Sequence, residues 1–275
     1  MSRHWQTYHH YAYGAVATLG TLAAVAAIGW LMTSALWAAW APAMEQVTGP
    51  FLNVLGVLFG LTLAFLANDT WTAHDRARSA VLREVDAIRR LDILTEAVPA
   101  AAQPALRQAV RDYVRAAVEE WPALARCDFS PTASVAADGL LRRFSGLATG
   151  IGCQPPLLQA MLGAVTEVRE NRDIRIGLSR THVNPLKWLG MAFLGFLTIV
   201  SIAVVHAGDP ATALIGMGLF GLASAPTATI VLIHGNPFQP PSAVSAARLA
   251  AALAGDRSGA RGGDARQQPV ARRLP

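Results

Sequence analysis

Few side chains in this sequence could do chemistry, and most of them lie in or beside long apolar runs. The run around FLNVLGVLFGLTLAFLANDTW sets Gly56, Gly60, Ala64 and Asn68 four residues apart, with Asn53 close to the same helical face at its other end. Such a stripe suits two roles. Small residues form a seam on which another helix packs closely. Small residues with amides at the ends also line a narrow ion path, because an uncharged amide can stand in for hydration without repelling either sign of ion.

Other chemical patterns are weaker. Gly216-Met217-Gly218-Leu219-Phe220-Gly221 matches the letters of a dinucleotide fingerprint, but it lies inside an apolar run, with no preceding strand and no accessible helix start. Close helix packing explains these glycines better. His4, His9 and His10 lie on a short terminus that lacks the outer-shell partners that orient metal ligands. No P-loop, nucleophile elbow or paired-cysteine spacing is present, so the sequence predicts no enzyme, no metal site and no cofactor. Asp69, Lys187, His206 and His234 stand at the ends of apolar runs, which leaves no mid-membrane proton carrier. Arg172 and Arg175, in the charged stretch EVRENRDIR, are expected to pair with acids such as Glu84, Asp86 or Asp173. Contact with lipid headgroups is the alternative role.

The elements that must position these residues follow from composition. Hydrophobic residues make up 53% of the chain and charged residues 15%. Four segments, Tyr13–Ala41, Pro50–Ala67, Leu186–His206 and Thr212–His234, approach the ~20 residues that cross a ~30 Å hydrocarbon layer. Lys187 is the one Lys, Arg, Asp or Glu among them, and it stands at the start of the third. Ala39-Trp40-Ala41 imitates a signal cleavage site, yet the run before it exceeds the ~7–15 residues of a signal core and reads as an uncleaved anchor.

Charge sets the expected orientation. The two short loops, Ala41–Gly49 and Ala207–Ala211, hold Glu45 and Asp209 and no cation. Fifteen arginines lie from Arg76 to Arg180, and six more follow His234. Cations gather on the cytoplasmic side, so the middle region and both termini are expected there. Cys127 and Cys153 should then be reduced. The net charge of +5 suits an anionic membrane surface, and no nucleic-acid-binding fold is recognisable.

Helical periodicity continues beyond the second span. Ala77, Val81, Val85, Ile88 and Leu91 mark an amphipathic helix from Thr72 to about Val98, and further helices are expected over Pro104–Trp121, Ala133–Ala148 and Leu157–Arg180. Gly235-Asn236-Pro237-Phe238-Gln239-Pro240-Pro241 breaks the chain before a short helix over Ser242–Ala254. The expected class is thus an all-α membrane protein, four transmembrane helices with a cytoplasmic helical bundle between the second and third spans. Its parts would be a cytoplasmic N-terminus 1–12, spans one and two in 13–71, the helical domain 72–184, spans three and four in 185–234, and a cytoplasmic tail 235–275, disordered after about 255.

The order of these parts resembles the bacterial bestrophin-like membrane proteins. Carrying the resemblance are GVLFGLTLAF running into W71TAHDRARSAVLREVDAI, Y113VRAAVEEWP, N171RDIRIGLSRTHVNPLKW and Asn236-Pro237-Phe238, over about residues 50–245. It implies a multi-pass protein of a bacterial inner membrane, a homo-oligomer, by resemblance a pentamer, conducting anions such as chloride. By that resemblance Asn53, Gly56, Gly60, Ala64 and Asn68 would line the path. The acidic run of calcium-controlled bestrophins is replaced by Gln239-Pro240-Pro241-Ser242, so calcium gating is not implied, and Phe59 lies off the glycine stripe. The other reading is a non-conducting scaffold or sensor whose helical domain binds a protein partner.

Overall fold

The computed structural model describes residues 10–149, 154–180 and 185–253. The segment holding His4 and His9, residues 150–153 with Cys153, and the tail after Leu253 lie outside the described residues. Helices account for the architecture: α1 His10–Leu31, α2 Ala35–Thr95, α3 Gln103–Glu119, α4 Trp121–Ala125, α5 Pro131–Ser145, α6 Pro155–Ser179, α7 Pro185–Val205, α8 Pro210–Ile233 and α9 Ala247–Leu253. No strand occurs among the described residues. α1, α2, α7 and α8 are long and apolar enough to cross a membrane.

The first reversal differs from the hydropathy reading. Residues 41–49, expected as a loop, are part of the 61-residue α2, and the chain turns at Met32-Thr33-Ser34 instead. Ser34 Oγ accepts from Trp37 N at 3.2 Å, satisfying one of the donors that a helix start leaves open. Pro42 and Pro50 each remove a backbone donor from α2. Packing outweighs that loss, because Trp37 and Ala41 are buried with Ile28, Met32 and Ile202. Ser34→Ala should therefore lower stability by about 1 kcal/mol, and Ser34→Asp should restore it. Thermal unfolding in detergent measures both, and an unchanged Ser34→Ala protein would show that the Ser34 hydroxyl does not stabilise the start of α2.

The chain divides into two compact units. One comprises residues up to Arg76 with Ala125–Cys127 and Leu178–Ala243, and the other Ala77–Leu124, Asp128–Gly177 and the residues from Val244 onward. In the first, α1 runs antiparallel along α8. A Cβ added at Gly14 would stand 3.0 Å from Thr229 Cγ2, and one at Gly29 2.9 Å from Leu214 Cδ2. Gly216 and Gly221, from the dinucleotide-like run, are likewise points of close approach, to Ile202 at 2.9 Å and Thr21 at 3.0 Å. Asp209 caps α8, accepting from Ala211 N at 3.1 Å and from the Thr212 hydroxyl. The Thr212 hydrogen bond leads the causes that lower its pKa, so the charged cap persists into mild acid and fades as pH falls through that lowered range.

In the second unit the end of α2 joins α3, α5, α6 and α9 around Val85, Leu91, Tyr113, Phe144, Val165 and Leu249. The amphipathic face expected on α2 is the buried one, since Ala77, Val81, Val85, Ile88 and Leu91 are all at most 3% exposed.

Candidate functional site

Among the described residues, two places combine polar chemistry with defined geometry, one in each unit. The first is the outward face of α2. Asn53, Gly56, Gly60, Ala64 and Asn68 are all exposed, whereas Leu55 and Leu66 of the same helix are buried. A Cβ at Gly56 or Gly60 would meet nothing within 4 Å. These glycines therefore do not serve packing inside the protomer, unlike Gly216 and Gly221. Phe59 turns away from the stripe and packs against Phe220, with ring centroids 5.2 Å apart and the ring planes inclined at 60°. Asp69 pairs with Lys187 at 2.5 Å, so the charge beside Asn68 is balanced by α7.

The second place is a buried ionic cluster. Arg175 Nε and Nη2 donate to the two Glu84 oxygens at 2.6 and 2.9 Å, and Tyr113 Oη donates to Glu84 Oε1 at 2.6 Å. Arg172 donates to both oxygens of Glu120 at 3.1 and 2.6 Å, and to Ser134 Oγ at 3.0 Å. Glu120 Oε1 also accepts from Ser130 N at 3.0 Å. Trp121 lies under the Arg175 guanidinium, 4.8 Å from Cζ to the ring centroid. The side chains of Glu84, Glu120 and Arg175 are wholly inaccessible, and that of Arg172 is 6% exposed.

Two carboxylates and two guanidiniums compensate one another, which makes such burial tolerable. Burial would lower the Arg175 pKa, but the Glu84 carboxylate overcomes it and the pKa is raised. Burial, then Glu84, push the Tyr113 pKa well above its ordinary value, so its hydroxyl remains a donor. Chemically the cluster binds helices together: both carboxylates are committed to its guanidiniums, and of the Arg175 nitrogens Nη1 alone has no hydrogen-bond partner. Of the expected partners, Arg175 takes Glu84, and Arg172 takes Glu120, which sequence reasoning did not name.

Asn236 lies in the first unit, where its Oδ1 accepts from Phe238 N at 2.9 Å and its Nδ2 approaches Ala125 O at 3.4 Å. Phe238 is 2% exposed. The facing Cys127 adopts φ 61°, a left-handed conformation uncommon outside glycine, and burial pushes its thiol pKa up. Asn-Pro-Phe thus anchors the chain where it leaves α8.

The bestrophin-like domain matches residues 19–249. The chain belongs to the bestrophin-like family. Two crystal structures of variants of a bacterial bestrophin homologue from Klebsiella pneumoniae share its fold. One is 14% identical, with a TM-score of 0.58, covering 87% of this chain and 97% of its own. The other is 13% identical, with a TM-score of 0.57, covering 89% of this chain and 98% of its own. No curated protein matches by sequence. At these identities the likeness is one of fold. Family and apolar helices together make this bestrophin-like chain a membrane protein.

Proposed function

We propose that this bestrophin-like protein is an oligomeric ion channel, selective for anions, in which the second spanning helix of each copy faces a shared axis. The observation that carries the reading is the uncovered stripe of α2, with open space over Gly56 and Gly60 and amides at Asn53 and Asn68. Helices with such a face approach one another closely about a symmetry axis. Asn68 would stand at the cytoplasmic mouth, where its amide replaces part of an ion's hydration. The pairing of Asp69 with Lys187 keeps a bare carboxylate, which would repel anions, away from that mouth. A homo-oligomer is expected, five copies by family resemblance. The chain would sit in a bacterial inner membrane with four spans, and the helical domain 72–184 and both termini would be cytoplasmic.

Reporter fusions test the topology. A reporter that needs export should be silent at Ala136 and at the carboxyl terminus. Activity at either site would reverse the orientation.

The competing reading is a non-conducting scaffold whose helical domain binds a protein. An open groove of about 230 Å³ between α3 and α5, bordered by Gln108, Asp112 and Arg143, favours it. Liposome flux decides between the two, because a scaffold passes no ions.

A further inference from the structure

Where α2 meets the end of α8, an apolar seam gives way to two ionisable rings. Leu66 of α2 shares a buried cluster with Ala228 and Val231 of α8. Further along the same two helices stand His74 and His234, both half-buried, with ring centroids 5.8 Å apart and planes inclined at 54°. Hydrogen bonds set the protons of this pair. His74 Nδ1 lies 3.3 Å from Thr70 O, and His234 Nδ1 lies 2.7 Å from Ile230 O. A carbonyl oxygen only accepts, so Nδ1 carries the proton in each ring and Nε2 is bare in the neutral form. The Ser242 hydroxyl, on the segment after α8, donates to the bare Nε2 of His74 at 3.3 Å.

A further proton therefore enters each ring at Nε2. The first leaves one charge beside an uncharged ring. The second sets two like charges 5.8 Å apart, and their repulsion opposes the contact. Burial is the largest influence on His74 and lowers its pKa; the His234 ring lowers it too, while the Thr70 carbonyl, the Asp75 carboxylate of α2 and Ser242 raise it. With that pKa lowered, the contact is at full strength above the ~6.5 of an ordinary histidine and weakens as pH falls below it. The apolar part of the seam does not titrate, so acid loosens α2 at its His74 end.

We propose that His74 and His234 form an acid-sensitive latch: uncharged, they hold α2 just beyond Asn68 against the end of α8, and when both are protonated they let it go. The consequence for conduction rests on the channel reading. The open face of α2 and Asn68 keep their places only while that helix is held, so acid on this side of the membrane should reduce flux.

Thermal unfolding of the full-length protein in detergent, compared between about pH 7.5 and about pH 5.5, tests the latch independently of conduction. Carboxylates and the other histidines titrate in every variant, so the readout is the difference between wild type and His74→Phe, which keeps an aromatic ring that cannot be charged. The wild type should lose several degrees more than His74→Phe over that interval. His234→Phe should show the same flattened response, and it decides the matter should His74→Phe not fold. Equal losses in wild type and variants overturn the latch. Flux into liposomes at the same two pH values should fall several-fold in acid for the wild type and stay level for His74→Phe. The pH-dependent stability difference without flux at either pH would end the channel reading and leave the latch standing, whereas flux that falls equally in wild type and both variants would overturn its control of the path.

Discussion

Arg175→Met should lower the melting temperature of the detergent-purified protein by roughly 10 °C, since breaking a buried ion pair costs ~3–5 kcal/mol and each kcal/mol moves a protein of this size by ~2–4 °C. The expectation rests on what the substitution leaves behind. Glu84 and Glu120 would remain inaccessible with Arg172 as their one cation, and no solvent reaches Glu84 to screen its charge. Tyr113→Phe supplies the comparison. It removes one donor to Glu84 but leaves the Arg175 pair intact, so about 1–2 kcal/mol should be lost. Combining Glu84→Gln with Arg175→Met removes both charges and should cost less than the two single changes added together. A shift below about 2 °C for Arg175→Met would show that the cluster does not hold this unit together.

The second large effect concerns the exposed face of α2. Gly60→Leu should reduce ion flux into liposomes by roughly tenfold or more while leaving each protomer folded, because a side chain there obstructs whatever the face lines. Nothing within the protomer lies within 4 Å of the added Cβ, so a folding defect is not expected from inside the chain. Gly221→Leu is the contrasting variant: its Cβ would come 3.0 Å from Thr21, and misfolding is the expected result. Asn68→Ala should change the preference among anions without altering assembly. A wild-type protein that passes no ions, with Gly60→Leu breaking the oligomer, would make the stripe a packing seam and end the channel reading.

Register in the sequence carries more about the ionic cluster than its composition suggests. Val165, Val168, Arg172, Arg175 and Ser179 follow one another at spacings of three and four on α6, and all are buried. Glu84 occupies the same stripe of α2 as Val81, Ile88 and Leu91, and Glu120 continues the Tyr113 and Ala117 face of α3. Charges in register with an apolar stripe are charges destined for the interior, provided they find partners. That signal predicts burial of Arg172, Arg175 and Glu84 without saying who pairs with whom. Ser34 is a comparable case. A Ser before an apolar run is a helix-start signal, but hydropathy averaged over Tyr13–Ala41 conceals a three-residue turn.

Composition and periodicity by themselves determine an all-helical chain with four apolar helices and the inward face of each amphipathic helix, because burial of an apolar stripe is a local property of residue order. Tertiary structure alone decides the match of Arg172 with Glu120, the close approach of Gly216 and Gly221 to neighbouring helices, and the open space over Gly56 and Gly60. Glycine at helical spacing reads identically in both settings. What separates them is the presence or absence of another helix, which is fixed by contacts between residues far apart in the chain.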